Sequence, residues 1–218
     1  MKSKSELMKK STGSPCGTRI KRCEKEETIM EKVMIGKMPA GAFPIIVVGS
    51  MVNGKPNYNT LGCYGLISPA PPTVYIKSVK QHYTNVGIRE SGWFSVNLPS
   101  ADQARKTDYV GLVSGYDTDK SDAFTPFFSS AGNAPMIEEC PVNILCKVIQ
   151  TVYMPTQENA EIFIGEVEEV YIKKECMIDG NIDLNMIKPL MITGTQYIEV
   201  TGTPAGAAWN IGKELIEK

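Results

Sequence analysis

Apolar and polar positions along the chain fall into short runs broken by glycine, proline and asparagine, not into long amphipathic stripes. Ile45 to Met51 is the first apolar run and predicts a strand. Asn53-Gly54 follows, and both residues tolerate positive φ, so a two-residue hairpin is expected there. The returning strand, Asn57 to Leu61, carries Asn57, Asn59 and Thr60 where a core would take Val and Ile. Leu66-Ile67 precede the stiff segment Ser68-Pro69-Ala70-Pro71-Pro72, and Thr73 to Val79 is the third predicted strand. Val86 to Ser91 reads as a short helix stopped by Gly92, with Thr84 or Asn85 as its cap.

Beyond that helix, Trp93 to Leu98 is aromatic and β-branched, hence a strand, and Pro99-Ser100 opens a helical stretch through Ala104. Asp119 to Phe124 is helix-like within a mixed region spanning 105–135. Val142 to Met154 and Glu161 to Lys173 read as two long partner strands joined by a loop at 155–160. Asp179-Gly180 marks a turn and Tyr197 to Val200 a short strand. Ala207 to Lys218 reads as a closing helix with Trp209 on its apolar side. Many strands, few helices and no β-α alternation predict a mainly β, antiparallel barrel.

Composition narrows the function classes. The chain has 218 residues, 42% of them hydrophobic, enough for a packed core. A net charge of -1 argues against nucleic-acid binding by bulk charge. No run of eighteen apolar residues is present, so no membrane span is expected. Six cysteines without a C-x-x-C pair, and a single histidine, argue against zinc and fit a reducing cytoplasm. Residues 1–29 hold eight Lys/Arg against four Glu and lack hydrophobic periodicity. They are expected to be a poorly ordered charged extension, with the natural start at Met30 or Met34 and the folded domain at 30–218.

Two clusters could carry chemistry. Asn59 and Thr60 offer short polar groups suited to a heterocycle edge, or else they satisfy a bulge or an edge strand. Lys80, His82, Tyr83 and Thr84 lie at a predicted helix start, where free N–H groups and partial positive charge suit a phosphate. Lys120 could reach the same anion. Asp117 to Asp122 resembles the start of a calcium loop, but position six is Asp122 and position twelve is Phe128, so the pattern fails. There is no G-x-G-x-x-G after a strand, no phosphate-binding lysine loop and no G-x-S-x-G elbow.

The order and spacing of several motifs resemble the flavin reductase-like FMN-binding split-barrel family, and within it the flavoredoxins. They are Asn53-Gly54-Lys55-Pro56-Asn57, Asn59-Thr60, Ser68-Pro69, His82-Tyr83-Thr84-Asn85, Phe94 to Ser100, Asp108-Tyr109-Val110-Gly111, Glu139-Cys140-Pro141 and Phe163 to Val167. The resemblance runs from about Met34 to the C-terminus. It implies a six-stranded antiparallel Greek-key split barrel with short peripheral helices, FMN as cofactor, and a homodimer with the flavin near the subunit interface. Together the two readings make Asn59, Thr60, Leu61, Gly62, Cys63, Ser78, Lys80, His82, Tyr83, Thr84, Asn97 and Lys120 the expected cofactor contacts. Cys63 is expected to be buried and inert, and Asn97 to face the cofactor unless it forms a turn. No side-chain acid or base is required, because the chemistry sits on the cofactor.

One position departs from the family pattern. Many NAD(P)H-using members carry an Asp-His pair just before a Phe-x-Gly-x-Val strand, whereas this chain has Ala160-Glu161 ahead of Phe163 to Val167. The expected function is therefore a flavoredoxin-type protein passing electrons through bound FMN to a protein or small-molecule acceptor. Two alternatives stay open: an NAD(P)H:flavin oxidoreductase, and a non-redox module for a planar ligand such as haem.

Overall fold

The computed structural model describes residues 32–156 and 159–216. The proposed charged extension, 1–29, lies outside these residues. Residues 32–38, the described part of a separate N-terminal unit, hold no helix or strand.

Within Pro39–Lys218, seven strands form one antiparallel sheet: β1 (Ile46–Val52), β2 (Lys55–Leu61), β3 (Tyr64–Pro69), β4 (Pro72–Val79), β5 (Trp93–Leu98), β6 (Val142–Tyr153) and β7 (Ala160–Ile172). Their order is β2-β1-β5-β6-β7-β4-β3. The sheet has one strand more than the six expected, because Leu66-Ile67 belong to a strand of their own that pairs with β4. The two edge strands, β2 and β3, are separated in sequence only by Gly62-Cys63. Since successive Cα atoms are about 3.8 Å apart, the sheet must curl until its edges nearly meet. No ladder of described residues joins β2 to β3, so the barrel closes without zipping.

The curled sheet explains the unbroken apolar run of β1. Ile46 and Val48 point into the barrel with Ile76, Phe94, Val96, Ile144 and Phe163. Val47 points outward but is covered too, packing with Tyr58, Val110, Phe124 and Ile137. A strand buried on both faces loses the alternation that one solvated face would give it. The β1–β2 turn is as expected, with Asn53 and Gly54 at φ 50° and 75°.

Helix α1 (Thr84–Ser91) crosses from β4 to β5 and ends at Gly92, whose φ of 72° closes the last turn. The expected cap is absent. Neither Thr84 nor Asn85 caps, because the Thr84 hydroxyl donates to Asn57 Oδ1 and the Asn85 amide is bonded to Ser78, Val79 and Glu161. The helix lies against β1 so closely that a Cβ at Gly87 would collide with the Met51 carbonyl and reach 2.8 Å from Ser50 Oγ. Gly87→Ala should therefore cost about 1–3 kcal/mol by overpacking, read as a lower urea midpoint with an unchanged slope. An unmoved midpoint would show that the helix can lift off without loss.

Ser100 and Gln103 form a capping box ahead of α2 (Ala104–Leu112), which covers the outer face of β2. Asp119 to Phe124 forms turns, not the expected helix, since the Asp119 carboxylate accepts from Ser121 N and pairs with Lys55. The expected closing helix is reduced to a 3₁₀ segment, Ile211–Leu215, and Trp209 is 96% exposed at φ 59°. A short amphipathic segment that docks on no apolar face of the described residues gains too little to nucleate a longer helix.

Candidate functional site

The described residues contain several concavities. One, of about 750 Å³, lies between residues 178–185 and 201–204; Asp179 and Asp183 are on its wall and no Lys, Arg or His lines it. A second, of about 160 Å³, opens where the end of β2, the turn before α1 and the loop after α2 converge. Asn59, His82, Tyr83, Thr84 and Lys120 line it, together with Gln81 and Gly111 to Gly115. Lys55 lines another cleft and Lys173 and Lys188 a further one, but this one joins a buried lysine to the chain's single histidine.

Its two basic side chains are both shifted by burial. Lys120 is 2% exposed and donates to the Val110 and Val113 carbonyls, at 2.9 and 3.1 Å. Burial pulls its ammonium down to about 8. Burial first, then the positive charges of Lys120 and Lys77, push the His82 imidazole below its usual value. The backbone adds two donors. Asn85 and Val86 N–H groups turn back onto His82 and Tyr83 carbonyls, while the Tyr83 and Thr84 N–H groups meet no protein acceptor among the described residues. Tyr83 is held as a wall, its hydroxyl accepting from Asn53 Nδ2 and its ring standing edge-on to Tyr116 at 4.7 Å.

The other expected contacts separate into those near this cleft and those that are not. Asn59 is nearly buried, with its amide 2.7 Å from His82 Nδ1. Ser78 lies behind the same nitrogen at 2.9 Å. The Thr60 hydroxyl turns away and donates to the Thr107 carbonyl of α2, so only its backbone is left for a ligand. Leu61 sits in the barrel core, and Gly62 follows it at the exposed rim. Cys63 is exposed there too, contrary to the expected buried thiol, because the two-residue link between β2 and β3 leaves nothing to cover it. Lys80 does not line the cleft; its ammonium stands 5.6 Å from the Tyr153 ring centre.

Asn97 requires a correction. It is fully buried and faces no cleft: Nδ2 donates to Val47 O and Ser95 Oγ, while Oδ1 accepts from Ile137 N and Asn143 Nδ2. Every hydrogen-bonding position of that amide is used inside the barrel wall, so it has nothing to offer a ligand.

A second group centres on Glu161, which the sequence marked only as a departure from the family pattern. Glu161 has no exposed surface, yet its carboxylate accepts from Arg89 Nε and Nη2 at 3.1 and 3.0 Å, from Asn85 Nδ2 at 3.0 Å and from the Tyr153 hydroxyl at 3.3 Å. Two signals pointed to it. Asn85 and Arg89 are four apart on one helix face, and Glu161 is a lone acid at the start of a strand whose register puts it opposite Ser78.

The comparisons agree with this architecture. The chain is 38% identical to a flavoredoxin from Methanosarcina acetivorans, with a TM-score of 0.77 over 85% of this chain and 99% of that one. It is 28% identical to the flavoredoxin of Desulfovibrio vulgaris (Miyazaki F), with a TM-score of 0.76 over 84% of this chain and all of the other. An uncharacterized protein of Archaeoglobus fulgidus is 28% identical over 133 residues, 60% of this chain and 73% of that protein. The flavin reductase like domain matches residues 38–198, the whole span from the first strand through the cleft, and the chain belongs to that family.

Proposed function

We propose that the protein binds FMN and passes electrons through it to a protein or small-molecule acceptor, as a flavoredoxin does. Family membership supports a flavin-linked redox role, and the cleft supports the choice of cofactor. The observation that carries the reading is a seat for one phosphate: a buried lysine, a histidine and two unused backbone N–H groups around a single small cavity. His82, Lys120 and the backbone amides of Tyr83 and Thr84 would hold the phosphate, the Thr84 hydroxyl being spent on Asn57. Asn59 and the backbone of Thr60, Gly62 and Cys63 would border the ring. Bound FMN would supply one- and two-electron chemistry; the protein supplies orientation, hydrogen bonds and limited access.

Glu161 favours this reading over direct NAD(P)H oxidation. It stands where NAD(P)H-using members place a histidine, and its carboxylate is turned inward onto Arg89 and Asn85 with no surface left for a nicotinamide. A homodimer fits the same picture, since Leu66, Ile67, Ile149 and Val170 of the sheet are more than half exposed and a second copy would cover them.

Purified protein should show the two-band flavin spectrum, bleached by dithionite, and release FMN on heating, identified by mass. Added FMN should not support rapid NADH or NADPH oxidation. A preparation that remains colourless after FMN titration would end the reading, and fast turnover would move it to the flavin reductases.

A further inference from the structure

His82 is the chain's single histidine, and its Nδ1 has two polar neighbours that it cannot satisfy in the same way. It can accept from an Asn59 amide at 2.7 Å or donate to the Ser78 hydroxyl at 2.9 Å. Which occurs is decided further from the cleft. Asn85 Nδ2 lies 3.0 Å from both the Val79 carbonyl and Glu161 Oε2, two acceptors that use both of its protons. Its Oδ1 must then face Ser78, 2.8 Å away, and can only accept. The single Ser78 proton is committed to that bond. What Ser78 has left for His82 is a lone pair.

The geometry points to a positioning relay, Arg89–Glu161–Asn85–Ser78, that holds the His82 proton on Nδ1 and turns the Asn59 amide so that its oxygen meets the ring and its NH₂ faces the cleft. The alternative leaves a bare nitrogen against a hydroxyl lone pair, an unmade hydrogen bond in a buried setting. The consequence is directional. The neutral ring presents Nε2 as an acceptor, and on taking a proton it presents an N–H to an anion while Nδ1–H stays bonded to Ser78. The charged groups facing the ring are Lys120, from the loop after α2, and Lys77, from β4; with burial they keep it neutral until an anion arrives.

The relay rests on the FMN reading only in naming the ligand, so it is tested without one. Long-range ¹H–¹⁵N correlation of the ligand-free protein, above the ring's titration, reports one histidine and needs no assignment. The expected result is a protonated Nδ1 and a bare Nε2. Asn59→Ala should leave the proton on Nδ1, because the Ser78 lone pair alone then faces that nitrogen, whereas Ser78→Ala frees the Asn59 amide to turn either edge to the ring and should let the Nε2–H form appear; Ser78→Thr should restore the wild-type pattern. An Nε2–H tautomer in the wild-type protein overturns the proposal whatever the variants do. So does an Asn59→Ala ring whose proton moves to Nε2. Failure of FMN to bind while Nδ1 is protonated would remove the cofactor reading and leave the relay standing.

Discussion

Lys120→Met is expected to weaken FMN binding at least tenfold, and Lys80→Ala to leave it nearly unchanged. Two of the three Lys120 protons go to the Val110 and Val113 carbonyls, and the ammonium lines the cleft while having almost no contact with bulk water. A charge-assisted bond from such a site to a phosphate is worth roughly 1.5–3 kcal/mol, and 1.4 kcal/mol is already a factor of ten. Lys80, the more obvious lysine in sequence, faces Tyr153.

The pH profile sharpens this prediction. Burial holds the free Lys120 ammonium near 8, and a bound phosphate dianion raises that value. Affinity should then be full below about pH 8 and fall as pH rises from there towards the bound-state value. In the ligand-free protein the sign reverses for stability. The unfolded chain, with a lysine near 10.4, binds more protons between about pH 8 and 10.5, so unfolding free energy rises across that window. Lys120→Met should flatten both profiles. Isothermal titration with FMN at pH 7 and 9.5, in both variants, reads the outcome. Equal affinities in wild type and Lys120→Met would place the phosphate elsewhere.

The choice between these lysines shows where the sequence stopped being informative. Lys80 and His82 are both close to the helix start along the chain, but side chains two apart around a turn need not share a face. Lys80 leads into the turn bonded to Asn159 and falls outside the cleft, whereas Lys120 is brought in by the loop after α2, a placement set by α2 packing on β2. Elements fixed by local chemistry were readable: the Asn53-Gly54 turn, the Gly92 stop, the two long partner strands. Features fixed by distant partners were not. Asn97 reads as a turn former or a ligand, and only its meeting with Asn143 across the β5–β6 ladder makes it a wall residue. Cys63 reads as buried because cysteine usually is; the short link between the barrel's edges exposes it. Trp209 reads as the anchor of an amphipathic helix, but among the described residues it finds no apolar cover and stands 96% exposed.

The Arg89–Glu161 pair should show the largest stability effect, and an asymmetric one. Glu161 has no exposed side chain, while 38% of the Arg89 side chain is exposed. Arg89→Met leaves a carboxylate in the interior with only Asn85 and Tyr153 as donors, which should cost about 3–5 kcal/mol. For a domain of this size that corresponds to a melting temperature lower by roughly 10 °C. Glu161→Met should cost less, about 1–2 kcal/mol, because the guanidinium can turn to water and keep its bond to the Lys80 carbonyl. The double variant Arg89→Met/Glu161→Met should recover most of the loss, giving a coupling of about 2 kcal/mol or more from urea midpoints. Additive single costs would mean that the pair is merely adjacent, and that nothing fixes Asn85 beyond the Val79 carbonyl. Because Asn85 commits the Ser78 proton and would then be held by the Val79 carbonyl alone, the double variant should shift part of the His82 population to the Nε2–H form while remaining folded, which separates the pair's role in stability from its role in aiming the histidine.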